Sequence, residues 1–123
     1  MATIKRFEDL EVWKDAREFT KVIYHITTNE GLNKDYAFKD QIRRASISIM
    51  NNIAEGFGRY SNKDFRRFLD IATASNLEVK SMLYLGSDLE YIPESKLDNL
   101  IQQNEKLHYQ LLALIKYLRS KSN

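Results

Sequence analysis

Residues able to carry chemistry are few in this chain. Glu105-Lys106-Leu107-His108 has the Glu-x-x-His spacing with which some helical bundles place two ligands of a di-iron site on one helix face. Such a site needs a second copy of the motif and two further inward carboxylates. The other histidine, His25, has Val22 three residues before it, so no metal and no cofactor is expected. Cysteine is absent, which removes disulfides, thiolate ligands and cysteine nucleophiles together. There is no Gly-x-Gly-x-x-Gly, no P-loop and no Gly-x-Ser-x-Gly, and two histidines leave little material for general-base catalysis. The expectation is a protein that is not an enzyme, with no catalytic residue.

Charge is the stronger signal. The chain carries a net charge of +2, but residues 39–67 hold seven Lys/Arg against three Asp/Glu. The seven are Lys39, Arg43, Arg44, Arg59, Lys63, Arg66 and Arg67. Arg59 and Lys63 precede Arg66 and Arg67 at the start of a helix, whose N-terminus itself favours anions, and the group is a candidate phosphate-binding corner. Arg43 and Arg44 lie roughly 20 Å away by helical rise and form a separate patch. Phe57 and Tyr60, beside Arg59, are placed to stack on unpaired bases. The bland alternative is a solvated face whose cations pair with Asp40, Glu55 and Asp64. Glu55 and Glu78 sit within small or apolar runs, Ile53-Ala54-Glu55-Gly56-Phe57 and Ser75-Asn76-Leu77-Glu78-Val79. Buried there, each needs a cation, with Arg43, Arg44 and Arg59 available, and both are expected to be structural ion-pair carboxylates.

The elements that position these residues follow from breakers and periodicity. Gly31, the pair Gly56 and Gly58, and Pro93 divide the chain into four segments of helical length, and Gly86 alone falls away from a boundary. The first helix is expected from about Leu10 to Thr28, N-capped by Asp9, with Val12, Ala16, Phe19, Ile23 and Ile26 as its stripe. The second runs from about Asp35 to Phe57 with Ile42, Ala45, Ile49 and Ile53 inside, and Ser46, Ser48 and Ala54 as small neighbours that permit close approach. The third opens on Ser61-Asn62-Lys63-Asp64, a capping-box-like signal, and carries Phe65, Phe68, Ala72, Ser75, Val79 and Met82 to about Glu90. The fourth follows Pro93 and reads Leu97, Leu100, Asn104, Leu107, Leu111, Leu114 and Leu118, the cleanest heptad in the chain. Short connectors force neighbours antiparallel. The fold class is therefore all-α, an up-down-up-down antiparallel four-helix bundle.

A second set of apolar residues widens these stripes: Trp13 and Tyr24 on the first helix, Leu69, Leu77 and Leu85 on the third, Ile101 and Ile115 on the fourth. They describe either a broad core or an interaction surface, with Trp13 and Tyr24 as its candidates. At 123 residues, 43% apolar and 29% charged, the chain suits one domain over residues 1–123 with one core. It is too apolar for a disordered tail, and four Gly and one Pro are too few for a many-stranded sandwich. No stretch approaches a membrane span, and Met1-Ala2-Thr3-Ile4-Lys5-Arg6 lacks an apolar signal region, so the expectation is a soluble, cytoplasmic protein with no membrane partner.

Four blocks carry a family resemblance. Phe7-Glu8-Asp9-Leu10-Glu11-Val12-Trp13-Lys14, Gln41-Ile42-Arg43-Arg44-Ala45-Ser46, Asn52-Ile53-Ala54-Glu55-Gly56-Phe57-Gly58-Arg59 and Ala74-Ser75-Asn76-Leu77-Glu78-Val79 resemble the 23S rRNA intervening-sequence proteins, also called the S23 ribosomal protein family. The resemblance covers nearly the whole chain. Asn-Ile-Ala-Glu-Gly-x-Gly-Arg is its most specific element, and Ser75-Asn76 stands where the family often has Gly-Ser. It implies an antiparallel four-helix bundle of bacterial origin, able to assemble as a ring-shaped homopentamer and without enzymatic activity. The accessory variability proteins of diversity-generating retroelements are a similar branch, and through them the resemblance extends to a reverse transcriptase and nucleic acid as partners.

Two functions compete on these grounds. The first is a non-enzymatic homo-oligomer that binds RNA, DNA or a ribonucleoprotein through the basic residues, with affinity falling steeply in salt. The second is a protein-interaction scaffold with no nucleic-acid binding, its arginines structural, whose affinity depends more on Trp13 or Tyr24 than on salt.

Overall fold

The computed structural model describes residues 3–121; residues 1–2 and 122–123 of the expected domain lie outside the described residues. A single 3₁₀ turn, Phe7–Asp9, leads into α1 (Glu11–Ile26), followed by a one-turn α2 (Glu30–Asn33), α3 (Tyr36–Phe57), α4 (Asn62–Asp88) and α5 (Glu94–Arg119). The four long helices form the up-down-up-down bundle. Each packs on its chain neighbour, and α5 closes the ring against α1.

The stripes explain the packing. Val12, Ala16, Phe19 and Ile23 of α1 and Ile42, Ala45, Ile49 and Ile53 of α3 are buried as expected, and each fully buried Ile or Leu is worth about 1.5–3 kcal/mol. On α4 the inner row is Phe65, Leu69, Ala72, Asn76, Val79, Leu83 and Gly86. Phe68, Ser75 and Met82, expected inside, are only half-buried, because the true seam lies one position further along at each second step. On α5 the heptad holds at Leu100, Asn104, Leu107, Leu111 and Leu118, whereas Leu97 and Leu114 are only half-buried and Ile115 is buried beside them.

Helix ends differ from expectation where local chemistry overrides punctuation. Leu10 precedes α1, and Asp9 lies in the 3₁₀ turn instead of capping the helix. Asp35 and Ser61 cap α3 and α4, their side chains accepting the Phe38 and Asp64 amides. Gly31, expected to break the chain, sits inside α2, whose cap is Asn29. Gly56 is buried within α3, and a Cβ there would lie 2.7 Å from Phe68 Cβ. Its lack of a side chain permits the close approach of α3 and α4. Gly86 serves the far end of α4, where a Cβ would lie 2.8 Å from Ile92 Cδ1 and 3.1 Å from Phe38 Cζ. There Glu90, at φ 63°, takes the left-handed position of a Schellman turn. The Tyr91 and Glu90 amides donate to Gly86 and Ser87 carbonyls at 2.9 and 3.0 Å.

The two ends of the bundle are built differently. At one, Tyr91 donates to Asp35 Oδ2 at 2.8 Å, packs edge-on to Phe38, and its carbonyl accepts from Asn29 at 2.9 Å, so the α4–α5 connection is tied to the α1–α3 connection. The other end gathers the start of α1, the α3–α4 corner and the end of α5.

Candidate nucleic-acid interface

The corner begins with the local sequence. Gly56 lets α3 meet α4 closely, and Gly58 caps α3. Phe57 turns inward onto Phe65, ring centroids 5.9 Å apart and nearly perpendicular. That packing fixes the two helices and leaves Arg59, Tyr60 and Ser61 to cross between them. The Arg59 guanidinium lies 4.5 Å from the Phe68 ring centroid, a cation–π contact that holds the side chain against the corner without neutralising it. Tyr60 is fully exposed.

The first turns of α4 add Lys63, Arg66 and Arg67. Lys63 is exposed, and Arg67 is one turn further on the same outer face, 3.4 Å from Asp64 in an exposed pair of little energetic weight. Arg66 is half-buried, and its Nε is enclosed without a hydrogen-bond partner. Arg59, Lys63, Arg66 and Arg67 thus form one corner, flanked by an aromatic ring open to solvent.

The remaining cations do other work. Arg43 Nε donates to Thr27 Oγ1 at 2.8 Å, and its guanidinium covers the Tyr24 ring at 4.4 Å, so it ties α3 to the end of α1. Lys39 donates to the Asn33 carbonyl and side-chain oxygens at 3.3 and 3.2 Å and anchors α2. Arg44 is exposed. Arg43 and Arg44 stand near the opposite third of α3, apart from the corner as helical rise predicts.

Several expectations are corrected. Trp13 is 9% exposed and packs against Phe7 at 5.0 Å with Arg17 above it, so it belongs to the core and not to an interaction surface. Tyr24 keeps an exposed edge. Glu55 is exposed and joins no ion pair among the described residues; Glu78 is exposed and accepts from Gln41 Nε2. Neither is a buried ion-pair carboxylate, because apolar neighbours in sequence lie 100° apart around a helix and do not share a face. Glu105 pairs with Lys80 at 3.1 Å, which raises the lysine pKa, and His108 has its Nδ1 enclosed on the α5 surface. Among the described residues no three His, Cys, Asp or Glu side chains converge as a metal site would require.

Two features were not read from the sequence. Asn76 and Asn104 are buried and exchange hydrogen bonds of 2.9 Å between each side-chain amide and the other's main-chain carbonyl; the signal was a polar residue at a heptad position. Ile71 shares an exposed apolar face of α4 with Leu85, and Leu77 is exposed on the adjoining outer side, at 46, 47 and 50% exposure. Ile71 lies two heptads before Leu85, a spacing that marks it as a member of that face.

The profile of the family described as 23S rRNA-intervening sequence protein matches residues 8–113. The chain belongs to this family. A crystal structure of a protein with unknown function from the S23 ribosomal protein family of Bacteroides thetaiotaomicron VPI-5482 is similar, at 29% identity and a TM-score of 0.78. The match covers 85% of this chain and 98% of that one. No curated protein matches. All seven basic candidates lie inside the family span, and both glycines of the corner do as well. Among the described residues, no helix is long and apolar enough to cross a membrane.

Proposed function

We propose that this family member is a non-enzymatic, self-associating bundle that binds RNA through the α3–α4 corner. The observation that carries this reading is the gathering of Arg59, Lys63, Arg66 and Arg67 at one corner, with the Tyr60 ring free beside them. Cations supply sequence-independent attraction to phosphates, and the aromatic ring offers a stacking surface to an unpaired base. Arg43 and Lys39 are assigned structural roles, and Arg44 a peripheral one. The test is binding of labelled structured and single-stranded RNA to the wild type and to an Arg59→Ala/Arg66→Ala/Arg67→Ala variant whose helical content is unchanged. Loss of binding in the variant supports the corner, whereas equal binding by both proteins contradicts it.

The exposed apolar face of α4 favours a second reading, a scaffold whose partner docks on Ile71, Leu77 and Leu85. Under that reading the face, not the arginines, controls affinity, and added salt has little effect.

A further inference from the structure

The end of the bundle opposite the Tyr91 clasp holds a cavity of about 530 Å³, within the range of small-ligand sites. Its origin is a mismatch of helix lengths. Asp15 of α1 accepts from Gln110 at 2.8 Å and pairs with Lys106 at 3.4 Å, which sets the register of α1 against α5. With that register, the last turns of α5 run past the first residue of α1 and stand opposite the non-helical segment and the 3₁₀ turn. Leu10, Phe57, Phe65, Leu114 and Leu118 form the apolar wall of the space left between them.

The charged part of the lining has one sign. Arg59 and Lys121 both border the cavity, and among the described residues no Asp or Glu does. Among the described residues neither cation has an acidic partner: Arg59 lies over Phe68, and the Lys121 ammonium lies 4.9 Å from the Tyr117 ring centroid. Aromatic contacts hold these cations without cancelling their charge. We propose that this cavity binds a small amphipathic carboxylate, its apolar body against the leucines and phenylalanines and its carboxylate between Arg59 and Lys121. A purely inorganic anion gains nothing from the apolar wall, and an uncharged hydrocarbon leaves both cations unpaired. This site is separate from the RNA reading, sharing with it only Arg59.

The probe is decanoate, titrated into the full chain and followed by amide chemical shifts, with decanol as the uncharged counterpart. The expected result is saturable shifts around Leu10, Phe65 and Leu114, with decanoate preferred over decanol by about tenfold or more. Lys121→Ala, at an exposed position outside the RNA corner, should weaken decanoate several-fold and leave RNA binding intact, which separates the two sites. Leu114→Trp should fill the cavity and abolish binding with helical content retained; should that variant unfold, Lys121→Ala still decides. The proposal is overturned by the absence of saturable shifts at millimolar decanoate, by equal binding of decanol, or by indifference to Lys121→Ala. Binding that weakens as protein concentration rises also overturns it, by assigning the cavity to a second copy of the chain.

Discussion

At single positions, two residues carry more than their type suggests. Gly56 reads in the sequence as a helix breaker, yet it lies buried inside α3 where a Cβ would press on Phe68 Cβ at 2.7 Å and Phe65 Cδ1 at 2.9 Å. Gly56→Ala should destabilise by about 1–3 kcal/mol through overpacking, measured by urea unfolding, and a neutral effect would show that α3 and α4 can separate freely. Asp35 was read as the approximate start of the second helix, but its link to Tyr91 was not legible, because the two lie 56 positions apart. The Phe38 amide, and then the Tyr91 hydroxyl, hold the Asp35 carboxyl below its ordinary 3.8. A lowered folded-state pKa gives stability that is fully present above the unfolded value and lost as pH falls through the folded one. The stability difference between wild type and Asp35→Asn should therefore be constant near neutral pH and shrink below about pH 3.8, and a difference that stays constant into that range would contradict the assignment. At the corner, the cluster Arg59, Lys63, Arg66 and Arg67 was legible from charge density. The structural use of Arg43 was not, since its partners Thr27 and Tyr24 lie on another helix.

The elements were legible because long amphipathic stripes repeat a simple period. The phase of α4 was less so: its sequence is apolar on more than one side, and only packing against both α3 and α5 selects Leu69, Asn76 and Leu83 over Phe68, Ser75 and Met82. The Asn76–Asn104 pair marks the selected register between α4 and α5. Asn104→Ala removes the bonds to the Asn76 carbonyl and side chain at 2.9 and 3.0 Å and should cost about 1–3 kcal/mol by leaving buried acceptors unpaired. The double replacement Asn76→Leu/Asn104→Leu should recover most of that stability but broaden the NMR spectrum, because two apolar residues no longer specify one register. Sharp, single resonances in the double variant would show that the polar pair is not needed for a unique packing.

For the whole molecule, the resemblance read from the Asn-Ile-Ala-Glu-Gly-x-Gly-Arg block is matched by a family span of residues 8–113. Physically, that block combines the packing glycine, the helix cap and the first cation of the corner. Assembly is the property least visible in one chain, since an exposed apolar face and a broad core produce the same pattern in sequence. Trp13 resolved as core, while Leu77 and Leu85 resolved as surface. If the α4 face is the self-association seam, light scattering should give an oligomer for the wild type, five-membered if the ring implied by the resemblance forms. Leu77→Arg/Leu85→Arg should then give a folded monomer, and an unchanged mass would place the seam elsewhere. The most direct test of the central claim is the salt dependence of RNA binding for the wild type and the Arg59/Arg66/Arg67 triple alanine variant. Binding should fall steeply with salt in the wild type, and the slope of log K against log salt should drop by about two to three in the variant, close to one for each phosphate contact removed. No binding at low salt, or an identical slope in both proteins, would contradict the account and leave the α4 face as the functional surface.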